Sequence, residues 1–299
     1  MSCRQFVADQ AAHHPVRLLC RVVGVSRPSY YAWRNGRPSA RTRADRALTE
    51  QIRATHRASR QAYGSPRVRA ELRAGGRAAG RRRIARLMRQ AGLRGLHGRC
   101  RRVRTTVPDR AATPVPDRVE RAFAPAQIGA PNRVRFADIT HVGTAEGRLY
   151  LAVIRDGFGR RVVGWAMADH PRAELVIDAL GMATQRRRPA PGLLHHADHG
   201  CQYTSVAFGQ RLQAARTVPS TGSVGDGFDN AVVESFLSGL KTEFVDRQAW
   251  PSRAAARLAI FEYLEVWYNR QRRPSTLGYL SPTEYEARFM TLANRPAAA

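Results

Sequence analysis

Three short runs with the alternating pattern of β-strands lie close together in the second half of the chain. They span Val134–Val142, Arg148–Ile154 and Arg161–Met167 and are rich in β-branched residues. The connections between them are short enough for hairpins, so we expect three antiparallel neighbours. Few architectures accommodate such a meander once helices and further strands follow it.

The sequence after the meander predicts helices that alternate with strands. Helical patterns cover Ala173–Arg187, Ser205–Ala215, Asp229–Val245 and Ser252–Tyr268, and strand-like runs cover Gly192–Asp198 and Thr217–Ser220. The fold class that we predict is therefore α/β: a mixed sheet of three antiparallel strands and then two parallel ones, flanked by helices.

Charge divides the 299-residue chain into two parts. Residues 1–121 hold 29 arginines against seven acidic residues, whereas the rest holds 21 basic residues against 16 acidic ones. The net charge of +27 indicates a polyanionic partner. Four prolines between residues 106 and 130 indicate a linker. We expect an all-α, arginine-rich region at 1–105 that binds a polyanion, a linker at 106–130, a core at 131–289 that holds the mixed sheet and the C-terminal helices, and a tail at 290–299.

The first part of the basic region has the pattern of a helix-turn-helix. Val16–Val23 is apolar at helical spacing, Gly24 makes a turn, Ser26 can cap the next helix and Pro28 lies in its first turn. Many helical hairpins share this outline without touching DNA, so both interpretations stay open.

A second helical region runs from Ala44 to about Leu96 and is strongly basic. One buried stripe is expected at Ile84, Leu87, Met88 and Ala91. Arg81, Arg82 and Arg83 have few carboxylates nearby in sequence. Because unpaired like charges repel one another, this cluster favours contacts with nucleic-acid phosphates over a merely solvated face.

The chain shows no signal for a membrane or an export pathway. It has no apolar run of 18 residues and no apolar segment near the N-terminus, and its four cysteines are dispersed. We therefore expect a cytoplasmic protein without a membrane span, a disulfide framework or a zinc finger.

Three carboxylates stand at unusual places in the second half. Asp138 interrupts a strand, Asp198 ends another, and Glu234 lies early in a helix on a polar face with Lys241. Unpaired carboxylates share a small site only when a cation is present. Oxygen ligands favour Mg²⁺ or Mn²⁺, and two such ions would support phosphodiester chemistry. His195, His196 and His199 lack a cysteine at suitable spacing, which argues against zinc, and Asp156 is interpreted as a turn residue.

Several motifs together resemble one family. They are FADITHV at Phe136, GRLYLAVIRDGFGRRVVGW at Gly147, HHADHGCQYTS at His195, DNAVVESFLSGLKTE at Asp229, YNRQRRPSTLGYLSPTEYE at Tyr268, CRVVGVSRPSYYAWR at Cys20 and YGSPRVRAELRAGG at Tyr63. They are similar to the second-reading-frame protein of DDE transposases from bacterial insertion sequences. That family separates its second Asp from its Glu by 35 residues, and 35 residues lie between Asp198 and Glu234.

The resemblance implies an RNase H-like, retroviral-integrase-like core that cleaves and joins DNA strands at element ends. By the same resemblance Asp138 bridges two Mg²⁺ or Mn²⁺ ions, Asp198 completes one site and Glu234 the other. Lys241 contacts the element end. Gln202, Tyr203 and Asn230 lie beside the site as DNA contacts, as supporting residues or in plain packing roles. Double-stranded DNA, a homo-oligomer on that DNA and a first-frame partner or fusion are the implied partners.

The sequence departs from the family pattern at two places. His199 stands where the family often has arginine, and the loop around Gly222 lacks a basic residue. Three alternatives stay open: a silent DNA-binding protein, an RNase H-like nuclease that cuts without joining, and a fragment that needs its first-frame partner to recognise element ends.

Overall fold

Two units make up the chain in this computed structural model, Met1–Arg94 and Gly95–Ala299. The structure describes residues 1–36, 38–96, 116–198, 200–222 and 230–293. His199, where the sequence departs from the family pattern, lies outside these residues, as does most of the changed loop after Gly222.

Helices form the described part of the first unit. They are α1 (Cys3–Gln10), α2 (Val16–Val22), α3 (Arg27–Arg34), α4 (Ala40–Ala58), α5 (Ser65–Ala74) and α6 (Arg81–Gln90). Serine side chains cap α1, α3 and α4, where each accepts a bond from a backbone N–H of the first turn. The first three helices share a small core of Val7, Leu19, Cys20 and Tyr30.

The second three helices pack on one another around a separate set of apolar residues. Ile84, Leu87 and Met88 of α6 are buried, which confirms the predicted stripe there, whereas Ala91 follows the helix as its C-cap. Leu48 and Ile52 of α4 are buried as well. The charged positions of α6 are left at its surface, as a helix with one apolar stripe requires.

The second unit is built on a five-stranded sheet. Its strands are β1 (Val134–Thr144), β2 (Gly147–Asp156), β3 (Val162–Ala168), β4 (Leu194–Ala197) and β5 (Val218–Thr221). Their order is β3-β2-β1-β4-β5, with β1, β2 and β3 antiparallel and β1, β4 and β5 parallel. The predicted mixed sheet is confirmed, and β1 lies at its centre.

Helices flank this sheet and extend beyond it. They are α7 (Pro125–Ile128), α8 (Ala173–Arg187), α9 (Val206–Ala214), α10 (Ala231–Glu243), α11 (Arg253–Glu262) and α12 (Pro282–Ala293), and α11 continues into a π-helical segment at Tyr263–Tyr268. Leu175, Val176, Ala179, Leu180 and Ala183 of α8 are buried in the main core. The apolar face that sequence periodicity predicts for α8 is therefore the face that covers the sheet.

Residues 116–130, within the predicted linker, pack against the core. Val119 and Ile128 are buried, and the ring of Phe123 contacts that of Phe136 with centroids 5.8 Å apart. The backbone N–H of Arg118 donates to the hydroxyl of Ser220 at 2.9 Å. This stretch thus contacts β1 and β5 of the sheet.

Gly164 lets α8 approach β3 closely, and its replacement should be costly. A Cβ added there would overlap the carbonyl oxygen of Ala179 and lie 2.7 Å from Ala183 Cβ. We expect Gly164→Ala to lower the free energy of unfolding by about 1–3 kcal/mol, because a packed core resists extra volume. Thermal unfolding followed by circular dichroism measures this loss.

The matched control for this prediction is Gly181→Ala within α8. A Cβ at Gly181 meets only Arg211 Nη2, at an ordinary 3.7 Å. Since alanine favours a helix over glycine by about 1 kcal/mol, this variant should be no less stable than the wild type. Equal stability of both variants would refute the close packing of α8 on β3.

Across the part of the chain that the structure describes, none of the helices is both long enough and apolar enough to cross a bilayer.

Candidate active site

Asp138 lies in the middle of β1, the central strand of the sheet. Its side chain is partly buried, and its Oδ1 accepts a bond from the backbone N–H of Ile139 at 2.7 Å. Burial, and then the charges of Asp198 and Glu234, raise the pKa of Asp138 to about 8. Ionisation of Asp138 therefore costs free energy in the native state, and a bound cation would offset that cost.

Asp198 lies beside Asp138 because of the strand register. β1 and β4 are parallel, with Phe136 opposite His196, and each aspartate follows its strand partner by two residues. β4 ends at Ala197, so Asp198 comes directly after the strand, at its carboxyl end. Its Oδ1 accepts the backbone N–H of Gly200 at 3.0 Å. Sheets of this kind place their ligand sites at such strand ends.

Glu234 reaches the same region from the first turn of α10. Asn230, the residue before α10, donates from Nδ2 to the carbonyl oxygen of Ala137 at 3.0 Å. This bond joins the start of α10 to the residue that precedes Asp138. Burial, and then the charge of Asp198, raise the pKa of Glu234. The helix thereby brings a third carboxylate within electrostatic range of the two aspartates.

The three carboxylates have no cationic partner in an ion pair among the residues that the structure describes. Within those same ranges, no group of three or more His, Cys, Asp or Glu side chains is spaced to hold one metal ion. The charges of the three groups nevertheless act on one another, so they are electrostatic neighbours. Their donor chemistry, carboxylate oxygens that raise one another's pKa, fits Mg²⁺ or Mn²⁺.

Basic residues lie beside this acidic group. Lys241 is on α10, two turns after Glu234, and lowers the raised pKa of Asp138. Burial, and then the charges of Lys241 and Arg148, lower the pKa of His141 on β1. Sequence reasoning identified Lys241 and missed His141 and Arg148. The hairpin register, which brings β2 alongside the end of β1, is the signal that could have found them.

Tyr203 places a hydroxyl near the two aspartates. Burial, and then the charges of Asp138 and Asp198, raise the pKa of Tyr203 well above its usual value. Its hydroxyl is buried and has no hydrogen-bond partner within the described residues. It therefore keeps its proton and is a donor available to the site.

Two of the predicted DNA contacts are engaged elsewhere. Asn230 is only 6% exposed and bonds to Ala137, which agrees with the supporting role among the alternatives that the sequence left open. Gln202 donates from Nε2 to the carbonyl oxygen of Pro171 at 2.8 Å. The sequence pattern could not distinguish an amide that faces DNA from one that bonds to a backbone.

In the first unit, Arg83 has a carboxylate partner that is distant in sequence. Asp45 of α4 lies 2.6 Å from a guanidinium nitrogen of Arg83 and 2.6 Å from one of Arg86. Hydrogen bonds from Arg86 and Arg83 lower the pKa of Asp45. Arg81 and Arg82 are exposed and form no ion pair with any described residue.

The other candidates have structural roles. Asp156 accepts bonds from the backbone N–H groups of Asn132, Phe158 and Gly159, which agrees with the turn interpretation. His195 and His196 are buried, with rings against Phe208 and Phe136 respectively.

Comparisons with known proteins agree with this architecture. Family models described as Integrase core domain match residues 129–226 and 234–290, and one described as HTH-like domain matches residues 43–103. The chain is 38% identical over 276 residues to the insertion element IS600 uncharacterized 31 kDa protein of Shigella sonnei, covering 92% of this chain and 100% of that protein. It is 36% identical over 287 residues to the transposase for insertion sequence element IS629 of Shigella sonnei, covering 94% and 95%.

Among solved structures, a chain of the simian T-cell lymphotropic virus intasome, in complex with PP2A regulatory subunit B56 gamma, is 17% identical. The TM-score is 0.45, and the match covers 77% of this chain and 72% of that chain.

Proposed function

Because the chain belongs to the transposases of bacterial insertion sequences, we propose that Asp138, Asp198 and Glu234 are its catalytic carboxylates. The protein is a DDE-type polynucleotidyl transferase that acts in DNA transposition. The observation that carries the residue assignment is the meeting of three carboxylates from β1, the end of β4 and α10, with no cation paired to them among the described residues.

The acidic group is suited to two divalent cations, Mg²⁺ or Mn²⁺. Asp138 would be shared between the two sites, Asp198 would complete one and Glu234 the other. When bound, two such ions stabilise negative charge on the attacking and leaving oxygens of a phosphodiester.

The remaining residues position the carboxylates and the DNA. Asn230 holds the first turn of α10 against β1, so that Glu234 stays near Asp138. The buried hydroxyl of Tyr203, which has no hydrogen-bond partner among the described residues, would donate to an oxygen of the bound DNA. Lys241 and Arg148 supply positive charge for the phosphates of the element end, and the imidazole of His141 lies beside them.

The reaction that we propose has two stages on double-stranded DNA. Water first cleaves one phosphodiester at the element end and leaves a 3′-hydroxyl. That hydroxyl then attacks a second phosphodiester, and its own P–O bond forms as the bond to the leaving oxygen breaks. Arg81 and Arg82 contribute phosphate contacts from the first unit. A homo-oligomer brings two ends together, and a first-frame partner or fusion assists recognition.

Metal removal tests this proposal. The protein is incubated with a labelled duplex that carries the end of its own insertion sequence, in Mg²⁺, in Mn²⁺ or in EDTA. We expect nicked and joined products with either metal, none in EDTA, and recovery when the metal is restored. Products in EDTA would contradict the metal requirement. Nicking without joining would instead identify a nuclease. This conclusion requires that the fused first-frame protein also fails to join the strands.

A further inference from the structure

The helix-turn-helix pattern near the N-terminus lies outside the segment that the HTH-like family model matches. That model covers residues 43–103, which hold α5, α6 and most of α4. Helices α1, α2 and α3 precede it and have their own core. The chain therefore contains a second small helical module whose role the family match does not assign.

The turn between α2 and α3 has the geometry of a helix-turn-helix. Gly24 adopts a φ of +67°, a conformation that favours glycine, and the N–H of Val25 donates to the Cys20 carbonyl at 2.9 Å. Ser26 then caps α3 by accepting from the N–H of Ser29. These local bonds end α2 and start α3 in the way that the sequence predicts, and α1 packs on both helices.

The orientation of α3 on this core leaves one of its faces in solvent. Tyr30 is fully buried and Trp33 is partly buried, which defines the inner face. Arg27, Tyr31 and Arg34 are exposed and recur at the i, i+4 and i+7 spacing that places side chains on one face of a helix. The outer face of α3 is thus a row of two guanidiniums and one phenol.

Positive charge on this module is almost uncompensated. Residues 1–36 contain five arginines and one acidic residue, Asp9, which accepts a bond from Gln5 at 2.9 Å. None of the five arginines forms an ion pair with a residue in the described part of the chain. The second helix of such a motif is the one that enters a major groove, while the first crosses the backbone.

We propose that α3 is a DNA-reading helix, distinct from α4–α6, and that Arg27 and Tyr31 face base edges in a major groove. Arg17 and Arg21 on α2 then contact the phosphates that flank the groove. This inference rests on the proposed function, because it makes the element end the DNA that α3 reads. An α-helix with its side chains is about 10–12 Å across, which suits insertion into a groove about 12 Å wide.

The alternative is that this module binds another protein instead of DNA, and the charge pattern disfavours that alternative. The exposed apolar residues Leu18 and Val22 lie on α2, while the outer face of α3 carries the arginines. A cationic face with an aromatic side chain matches the requirements of DNA better than those of an apolar protein surface.

The test compares affinities of the full-length protein for two duplexes of equal length and composition, one carrying the element end and one with its sequence shuffled. Tyr31→Ala leaves the charge unchanged and should reduce binding to the element end about 10-fold while leaving binding to the shuffled duplex unchanged. Arg27→Gln should also reduce the preference for the element end. Arg21→Gln should weaken binding to both duplexes equally, as loss of a phosphate contact does.

Val22→Ala is the matched control, since Val22 is 74% exposed and lies on α2 of the same module. It should bind both duplexes as the wild type does. Circular dichroism confirms that each variant keeps its helices. If Tyr31→Ala and Arg27→Gln retain the full preference for the element end, the inference is overturned and the module is assigned to a protein partner. Cleavage by the carboxylate variants is a separate readout, so failure of this inference leaves the proposed function intact.

Discussion

Asp138→Asn should abolish DNA cleavage and joining while leaving DNA binding unchanged. The substitution keeps the shape of the side chain. It removes the negatively charged carboxylate that, in our proposal, binds both cations. Loss of about 4 kcal/mol of transition-state stabilisation corresponds to a rate that is about 1,000-fold lower. The measurement is the rate of nicking of a labelled element-end duplex in Mg²⁺.

Stability provides the control for this prediction. Burial and neighbouring charges raise the pKa of Asp138 to about 8. In the unfolded chain this acid ionises near its usual pKa. At any pH above that usual pKa, the raised pKa of the native state therefore lowers the free energy of unfolding. Asp138→Asn in EDTA should therefore have a Tm no lower than that of the wild type. Asp178→Asn, on the exposed face of α8, should keep full activity. Wild-type nicking by Asp138→Asn would overturn the assignment.

Glu243→Ala should destabilise the second unit strongly. Arg272 donates two bonds to Glu243, from Nε at 2.8 Å and from Nη2 at 2.7 Å, and both side chains are largely buried. Removing one partner leaves a buried charge uncompensated, which costs about 3–5 kcal/mol. For a unit of this size that corresponds to a Tm lower by roughly 10 °C. Nicking should also fall, because Glu243 lies on α10 with Glu234 and Lys241.

The double variant Glu243→Leu/Arg272→Met separates the ion pair from general packing. With both charges removed, much of the lost stability should return, since apolar residues of similar volume often replace a buried pair without loss. A Tm change below about 2 °C in Glu243→Ala would show that water solvates the guanidinium of Arg272 in place of Glu243. In that case α10 does not depend on this pair.

The sheet could be predicted because alternation and helical periodicity are local signals. The strands centred on Asp138, Leu151 and Trp165 and the helix Ala173–Arg187 follow from spacing alone, and their order follows from hairpin-length connections. The three carboxylates were found because each breaks the pattern of its own element. The pairing of β1 with β4 then places two of them, Asp138 and Asp198, side by side.

The contacts that hold the site together could not be predicted, because they join residues far apart in sequence. Asn230 bonds to Ala137 across 93 positions, and Asp45 pairs with Arg83 across 38. Arg135 is fully buried, although an arginine in a strand is usually at the surface. It lies on the central strand, and one of its nitrogens donates to the carbonyl oxygen of Ala183 on α8. The positions of these residues depend on how the helices and the sheet pack in the folded protein, which local sequence does not specify.

The most direct test of the carboxylate assignment is Mn²⁺ binding, followed by electron paramagnetic resonance of the protein on its element-end duplex. We predict that the wild type and Asp178→Asn hold two Mn²⁺ ions per protomer and that Asp138→Asn, Asp198→Asn and Glu234→Gln each lose bound Mn²⁺. Equal Mn²⁺ binding by all five proteins would contradict the account and place the metal site elsewhere.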